Sequence, residues 1–194
     1  MATGAEGLAA EAARMLTHST VHRVTAELDS VVPPSSGIYA WWSDVEICPG
    51  FSGISPTGNP ALQLAYVGVG ASLHQRVISS HLGRSRNSSL RRTLGVLLTP
   101  AMGFTSIMGP KGKVLLGSPA DEDRLTNWMH IHMSVTWWAV PDPDEDFERV
   151  VLATMRPPLN VRNAPKSPAR DAVKAAMAAA RIAARRQEYG RLQA

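Results

Sequence analysis

The chain has 194 residues, 44% apolar and 19% charged, with a formal net charge of +4. That is one domain's worth of globular chain, long enough to bury a core and too apolar to stay disordered. A single cysteine, Cys48, excludes an internal disulfide and a four-thiolate zinc site, and no apolar run reaches the ~18–20 residues of a membrane helix.

The N-terminal MATGAEGLAAEAARML carries acids and lacks a basic start, unlike a secretory signal, so a cytoplasmic protein is expected. Apolar spacing predicts a helix over Glu6–Leu28, ended by Pro33 and Pro34. Gly37–Trp42 reads as an aromatic strand, Ser43–Pro60 as a Pro- and Gly-rich loop, and Leu62–Val69 as a second strand. Ser72 begins a helix to about His81, and Ser88-Ser89 begin another. Thr99–Pro119 reads as loop with one short strand near Val114–Leu116. A helix follows over Asp121–Met133, then a strand over Ser134–Val140. Asp142 with Pro143 forms a helix start, and that helix stops before Pro157-Pro158. Ala169–Tyr189 is a last helix, Ala-rich and basic, and reads as an appendage.

Charge is segregated. Between Ile47 and Ala120 there is no Asp or Glu, but Arg76, Arg84, Arg86, Arg91, Arg92, Lys111 and Lys113 are present. From Val161 onward eight basic residues, among them Arg162 and Lys166, face only Asp171 and Glu188. Two basic zones suit a polyanion such as DNA, because clustered Lys and Arg displace counterions from phosphates.

Several constellations fall short of a site. Gly68-Val69-Gly70 follows a strand, but the third glycine of a dinucleotide fingerprint is Leu73 and the ribose-binding acid is missing. The pairs His18/His22 and His130/His132 lack a third ligand and the H-E-x-x-H setting of a zinc enzyme. Cys48 has no His beside it and reads as structural. In the acidic run Asp142–Glu148, only Glu148 borders an apolar face, so it alone is placed to look into a cleft.

The strands carry an ordered set. Gly37-Ile38-Tyr39 precedes Tyr66-Val67-Gly68, Arg76 follows Tyr66 by ten residues, and Glu148 precedes Pro157 by nine and Asn160 by twelve. Over about residues 36–163 this resembles the GIY-YIG nuclease family. The resemblance implies an α/β (α+β) domain over 36–163 with a three-stranded antiparallel sheet flanked by helices, to which the chain's own helical pattern adds an N-terminal helical segment (1–35) and a basic C-terminal helix (164–194). It implies metal-dependent hydrolysis of DNA phosphodiesters, with Glu148 holding Mg²⁺ or Mn²⁺, a hard cation that prefers carboxylate oxygen. Tyr39 or Tyr66 would take the proton of the attacking water, which requires Arg and metal charge to lower its pKa from about 10. Arg76 would stabilise the transition state and Asn160 would brace the site.

Three departures from the family pattern stand out. Many members carry Lys just after the second triplet, where Val69 stands, and His81 is the candidate substitute for its cationic or proton-transfer role. The 26 residues between Tyr39 and Tyr66 exceed the ten or so common in the family, as in its restriction-type members. No second module is recognisable. The expected protein is therefore a compact restriction or defence endonuclease gripping DNA through Arg84, Arg86, Arg91, Arg92, Arg162 and Lys166. A homodimer would suit a palindromic target. The alternatives are a DNA-repair nuclease, a catalytically weak nucleic-acid-binding module, and a domain whose basic tail docks on another protein.

Overall fold

All seven residues of Gly37–Ser43 (β2) are buried. A strand buried on both faces needs a partner at each edge and a layer over each side, and the rest of the chain supplies them. The structure is a computed structural model, which describes residues 4–48, 50, 51 and 53–193. Pro49, read from the sequence as loop, and the side chain of Arg191, counted in the basic tail, lie outside the described residues.

β2 pairs antiparallel with Gln63–Gly70 (β3) on one edge and Met133–Ala139 (β6) on the other. A two-residue strand, His22–Arg23 (β1), adds to the far edge of β6, giving the order β1-β6-β2-β3. The sheet thus has four strands where three were expected. The added strand comes from the segment read as one continuous helix. That helix, α1, ends at His18. Beyond it Thr20, Val21, Val24 and Thr25 are β-branched, stiff at χ1 and better suited to a strand than to a helical turn.

α1 (Gly4–His18) and α5 (Glu145–Met155) cover one face, packing Ala9, Ala12, Leu16, Val151 and Leu152 on Ile38, Ala40 and Trp42. The indole of Trp42 donates to Thr136 Oγ1 at 2.9 Å, and that hydroxyl donates to the Leu16 carbonyl at 2.9 Å, tying α1 to the sheet. The other face carries Tyr39, Trp41 and Tyr66. It is covered by a π-helix (Gln75–His81) and by α3 (Ser89–Met102), α4 (Pro119–His132) and α6 (Pro168–Leu192). Because both faces are covered, Trp41 and Trp42 are both fully buried, one on each side. Trp137 is half-buried and stacks on His22 with ring centroids 4.4 Å apart.

Other local readings shift. α2 is one short turn, Leu28–Val31. α3 runs through Pro100 to a left-handed Gly103, so the region read as loop begins later and holds a hairpin of two strands, β4 (Ser106–Met108) and β5 (Val114–Leu116). Asp144, not Asp142, caps α5, its carboxylate accepting the Phe147 N–H at 2.7 Å, while Asp142 sits at φ 41 in the preceding turn. α6 is no appendage: Ala169 and Val173 belong to the main core, and Ala184 is 2% exposed. Among the described residues no helix is long and apolar enough to cross a membrane.

Candidate active site

Pairing of β2 with β3 sets Tyr39 opposite Gly68. A Cβ on Gly68 would meet the Tyr39 hydroxyl and lie 2.7 Å from Tyr39 Cζ, so the glycine of the second triplet is the seat of the first triplet's tyrosine. The register slips between Trp41, opposite Tyr66, and Trp42, opposite Leu64. This bulge leaves Ala65 unpaired, and Ala65 and Tyr66 both face the core that holds Tyr39. The two tyrosine rings lie 6.5 Å apart.

Behind them runs the π-helix. Its wide i→i+5 turn stacks residues five apart, and Arg76 and His81 have that spacing. Gly70 makes room for the stem of Arg76, since a Cβ there would collide with Arg76 Cγ. His81 is fully buried, with Nε2 2.7 Å from the Tyr39 hydroxyl and Nδ1 2.7 Å from Ser88 Oγ. Tyr66 meets Ser89 Oγ at 3.0 Å. Burial pushes the Tyr39 hydroxyl far above its ordinary pKa, aided by Tyr66 and opposed by Arg76. Burial also raises Tyr66, against the Ser89 hydrogen bond and Arg76. For both tyrosines desolvation outweighs the arginine charge, so any lowering needs the charge of the bound ion as well.

Tyr66, Arg76 and Glu148 open into one cleft of about 810 Å³. Arg92 and Arg162 line it as well, and Lys113, Lys174 and Arg181 come to it from the β4–β5 hairpin region and α6. Six basic residues thus line the cleft against two acids, Glu145 and Glu148. Burial raises the Glu148 carboxyl above its ordinary range. A hydrogen bond from Asn163 works the other way, Glu145 adds repulsion, and Arg76 and Arg162 favour the charged form. Among the described residues no three His, Cys, Asp or Glu side chains converge as a metal cage. One partly desolvated carboxylate in an open cleft fits a hard divalent ion that keeps water and substrate phosphate as its remaining ligands.

A family profile described as the GIY-YIG catalytic domain matches residues 37–182, well over half of the chain. The chain belongs to this family. That places it among nuclease domains, whose substrate is DNA. No curated protein and no solved structure gives a match. The GIY-YIG match reaches well into α6, beyond the limit near residue 163 read from the motifs, in keeping with the packing of that helix.

Of the residues singled out from sequence, this GIY-YIG chain brings Tyr66, Arg76, Arg92, Glu148, Asn160 and Arg162 to the cleft. Tyr39 and His81 lie just beneath it, wholly buried. Asn160 braces the sheet edge as a strand would: its Nδ2 donates to the Val67 carbonyl at 2.8 Å and its Oδ1 accepts the Val67 N–H at 2.9 Å. His81, the candidate for the cationic or proton-transfer role at Val69, is wholly buried, and burial with the charges of Arg76, Arg91 and Arg92 lowers its pKa well below the ordinary value, which disfavours its charged form. Arg91 is not a DNA contact. It is 0% exposed and its Nη2 meets Glu122 Oε2 at 2.8 Å, while Nη1 donates to the His81 carbonyl at 3.3 Å. Arg84, paired with Asp123 at 3.1 Å, Arg86 and Lys166 are exposed outside the cleft. The motifs did not single out Ser88, Ser89, Asn163, Lys174 or Arg181. The capping pattern at Ser88-Ser89 and the basic count on α6 were the only signals for them.

Proposed function

We propose that the protein is a divalent-metal-dependent DNA endonuclease of the compact restriction or phage-defence type. The observation that carries this reading is the convergence of Tyr66, Arg76 and Glu148 on one cleft walled by basic side chains. The long loop between β2 and β3 favours the restriction type over a minimal nuclease.

The Glu148 carboxylate would hold the ion, Mg²⁺ or Mn²⁺, which when bound polarises the scissile phosphate and lowers the pKa of water. The remaining work belongs to the chain. Lys113, Lys174, Arg162 and Arg181, which line the same cleft, seat the sugar–phosphate backbone and supply positive charge that Val69 lacks. Tyr66, which lines the cleft while Tyr39 is wholly buried, would accept the proton of the attacking water. Phosphate binding beside Arg76 aims the guanidinium at the oxygens that gain charge in the transition state. Asn160 keeps β3, and with it Tyr66, in place.

Supercoiled plasmid, with and without modified bases, incubated with the protein and Mg²⁺ or Mn²⁺, tests this reading. Nicked or linear product that disappears with a chelator is expected. Salt-sensitive binding without cleavage would favour the binding-module alternative, and a preference for unmodified plasmid would support the restriction type.

A further inference from the structure

α6 presents one face to the cleft: Lys174, Met177, Ala178 and Arg181, which line it, stand at i, i+3, i+4 and i+7. Val173 and Ala184 are buried on the same helix and hold it to the core. Arg181 Nε donates to the Gly112 carbonyl at 3.2 Å, which ties the guanidinium to the hairpin that carries Lys113. Arg185 stands one turn past Arg181 and is exposed. At roughly 100° per residue, Lys174, Arg181 and Arg185 fall within about 40° of one another, while Arg186 lies about 100° round the helix from Arg185. No acid occurs between Asp171 and Glu188, and among the described residues none of these three cations is ion-paired. A row of like charges on one helix face is repulsive by itself, so its complement is a polyanion. Between Lys174 and Arg181 the face carries Met177 and Ala178, neither of them a hydrogen-bond donor that could read a base edge.

We propose that this row is the track along which the backbone of one DNA strand leaves the cleft, with Arg185 as the contact outside it. The proposal rests on the reading of the cleft as the DNA site. From Lys174 to Arg185 the helix rises about 16 Å, and one strand rises about 3.4 Å per nucleotide, so the row matches roughly five nucleotide steps. The contacts are charge on phosphate: they hold the strand in register and carry no sequence information. The substrate is therefore DNA that continues beyond the cut along α6, not a short end that fills the cleft alone. An acidic protein surface is the competing occupant. Continuity favours the nucleic acid, because the same helix face shares its cleft with Tyr66, Arg76 and Glu148.

Salt titration of binding to a long duplex, with a chelator present to keep cleavage out of the measurement, tests the row on the full chain. Arg185→Gln should lower the log–log slope by about one, and Arg186→Gln, next in sequence but off the row, by less than half of that. Arg185→Lys keeps the charge and should keep the slope. Both arginines are exposed, so melting temperatures should be unchanged in all three variants. Equal losses from Arg185→Gln and Arg186→Gln would reduce the row to diffuse surface charge and overturn the proposal. No loss from Arg185→Gln would overturn it in favour of an acidic protein surface. Plasmid that the unmodified protein never nicks, with the Arg185 effect intact, would count against the nuclease reading alone and leave the track standing.

Discussion

Glu148 sits where its charge is disfavoured, and that has a measurable cost. Its folded-state pKa lies above the ordinary value of 4.5, with burial the largest cause. A carboxyl raised on folding binds protons more readily in the native state, so stability falls as pH rises from 4.5 through the folded value. Glu148→Gln keeps the shape and removes the charge. Its melting temperature at pH 7 should exceed that of the unmodified protein, and the gap should close below about pH 4. No gap at pH 7 would mean that the carboxylate is fully compensated. Gly68 offers a steric counterpart. Gly68→Ala drives a methyl group into the Tyr39 ring, a clash expected to cost roughly 1–3 kcal/mol and to displace Tyr39 from His81. Thermal unfolding together with the His81 side-chain NMR signals would show both effects, and an unshifted His81 would disprove the seat assigned to this glycine.

At the level of elements, the junction of the π-helix, α3 and α4 is held by charge. Arg91 reaches Glu122 through Nε at 3.1 Å and Nη2 at 2.8 Å, and Glu122 Oε1 in turn accepts the Ser85 N–H at 2.8 Å. Removing one partner leaves the other charge buried and alone, so Arg91→Ala should destabilise by about 3–5 kcal/mol. Its neighbour Arg92 lines the cleft instead. Arg92→Ala should lower the log–log salt slope of DNA binding by roughly one, and Arg91→Ala should leave the slope of its folded fraction unchanged. The reverse outcome in denaturation and salt titration would exchange the two roles. This pair also marks what the sequence makes legible. Strands β2 and β3 and the starts of α3 and α4 follow from local chemistry: aromatic runs, and Ser at the caps. Arg91 was misread because it stands in an acid-free stretch, while its partner lies 31 residues on, in α4, where no local pattern points back to it. β1 was hidden for a similar reason, since two residues become a strand only when the edge of β6 is there to pair with.

Over the whole molecule, the cleft is made from segments far apart in the chain. Tyr66 and Arg76 were legible from their ten-residue spacing across strand and helix, and Glu148 from Pro157 and Asn160, nine and twelve residues on. Lys113, Lys174 and Arg181 were not, because which face of α6 meets the hairpin is decided by docking: Arg181 Nε donates to the Gly112 carbonyl at 3.2 Å. Since Ala169 and Val173 lie in the core, deleting α6 would test stability more than DNA binding. Arg185 and Arg186 are the better probe, both exposed beyond the buried Ala184. The double variant Arg185→Gln/Arg186→Gln should keep stability within about 0.5 kcal/mol and reduce the salt slope by roughly one to two. An unchanged slope would assign the end of α6 to something other than DNA.

The central claim is that Glu148, among the five acids that open α5 and its approach, holds the ion for phosphodiester cleavage. The most direct measurement is nicking of supercoiled plasmid by the unmodified protein, Glu148→Gln and Glu145→Gln under one Mg²⁺ condition, with DNA affinity measured alongside. Glu148→Gln should bind DNA as tightly or more tightly and leave the plasmid intact, because one repulsive carboxylate is gone and the metal ligand with it. Glu145→Gln should cut at close to the unmodified rate. Cleavage by Glu148→Gln at the unmodified rate would contradict the assignment and the mechanism built on it.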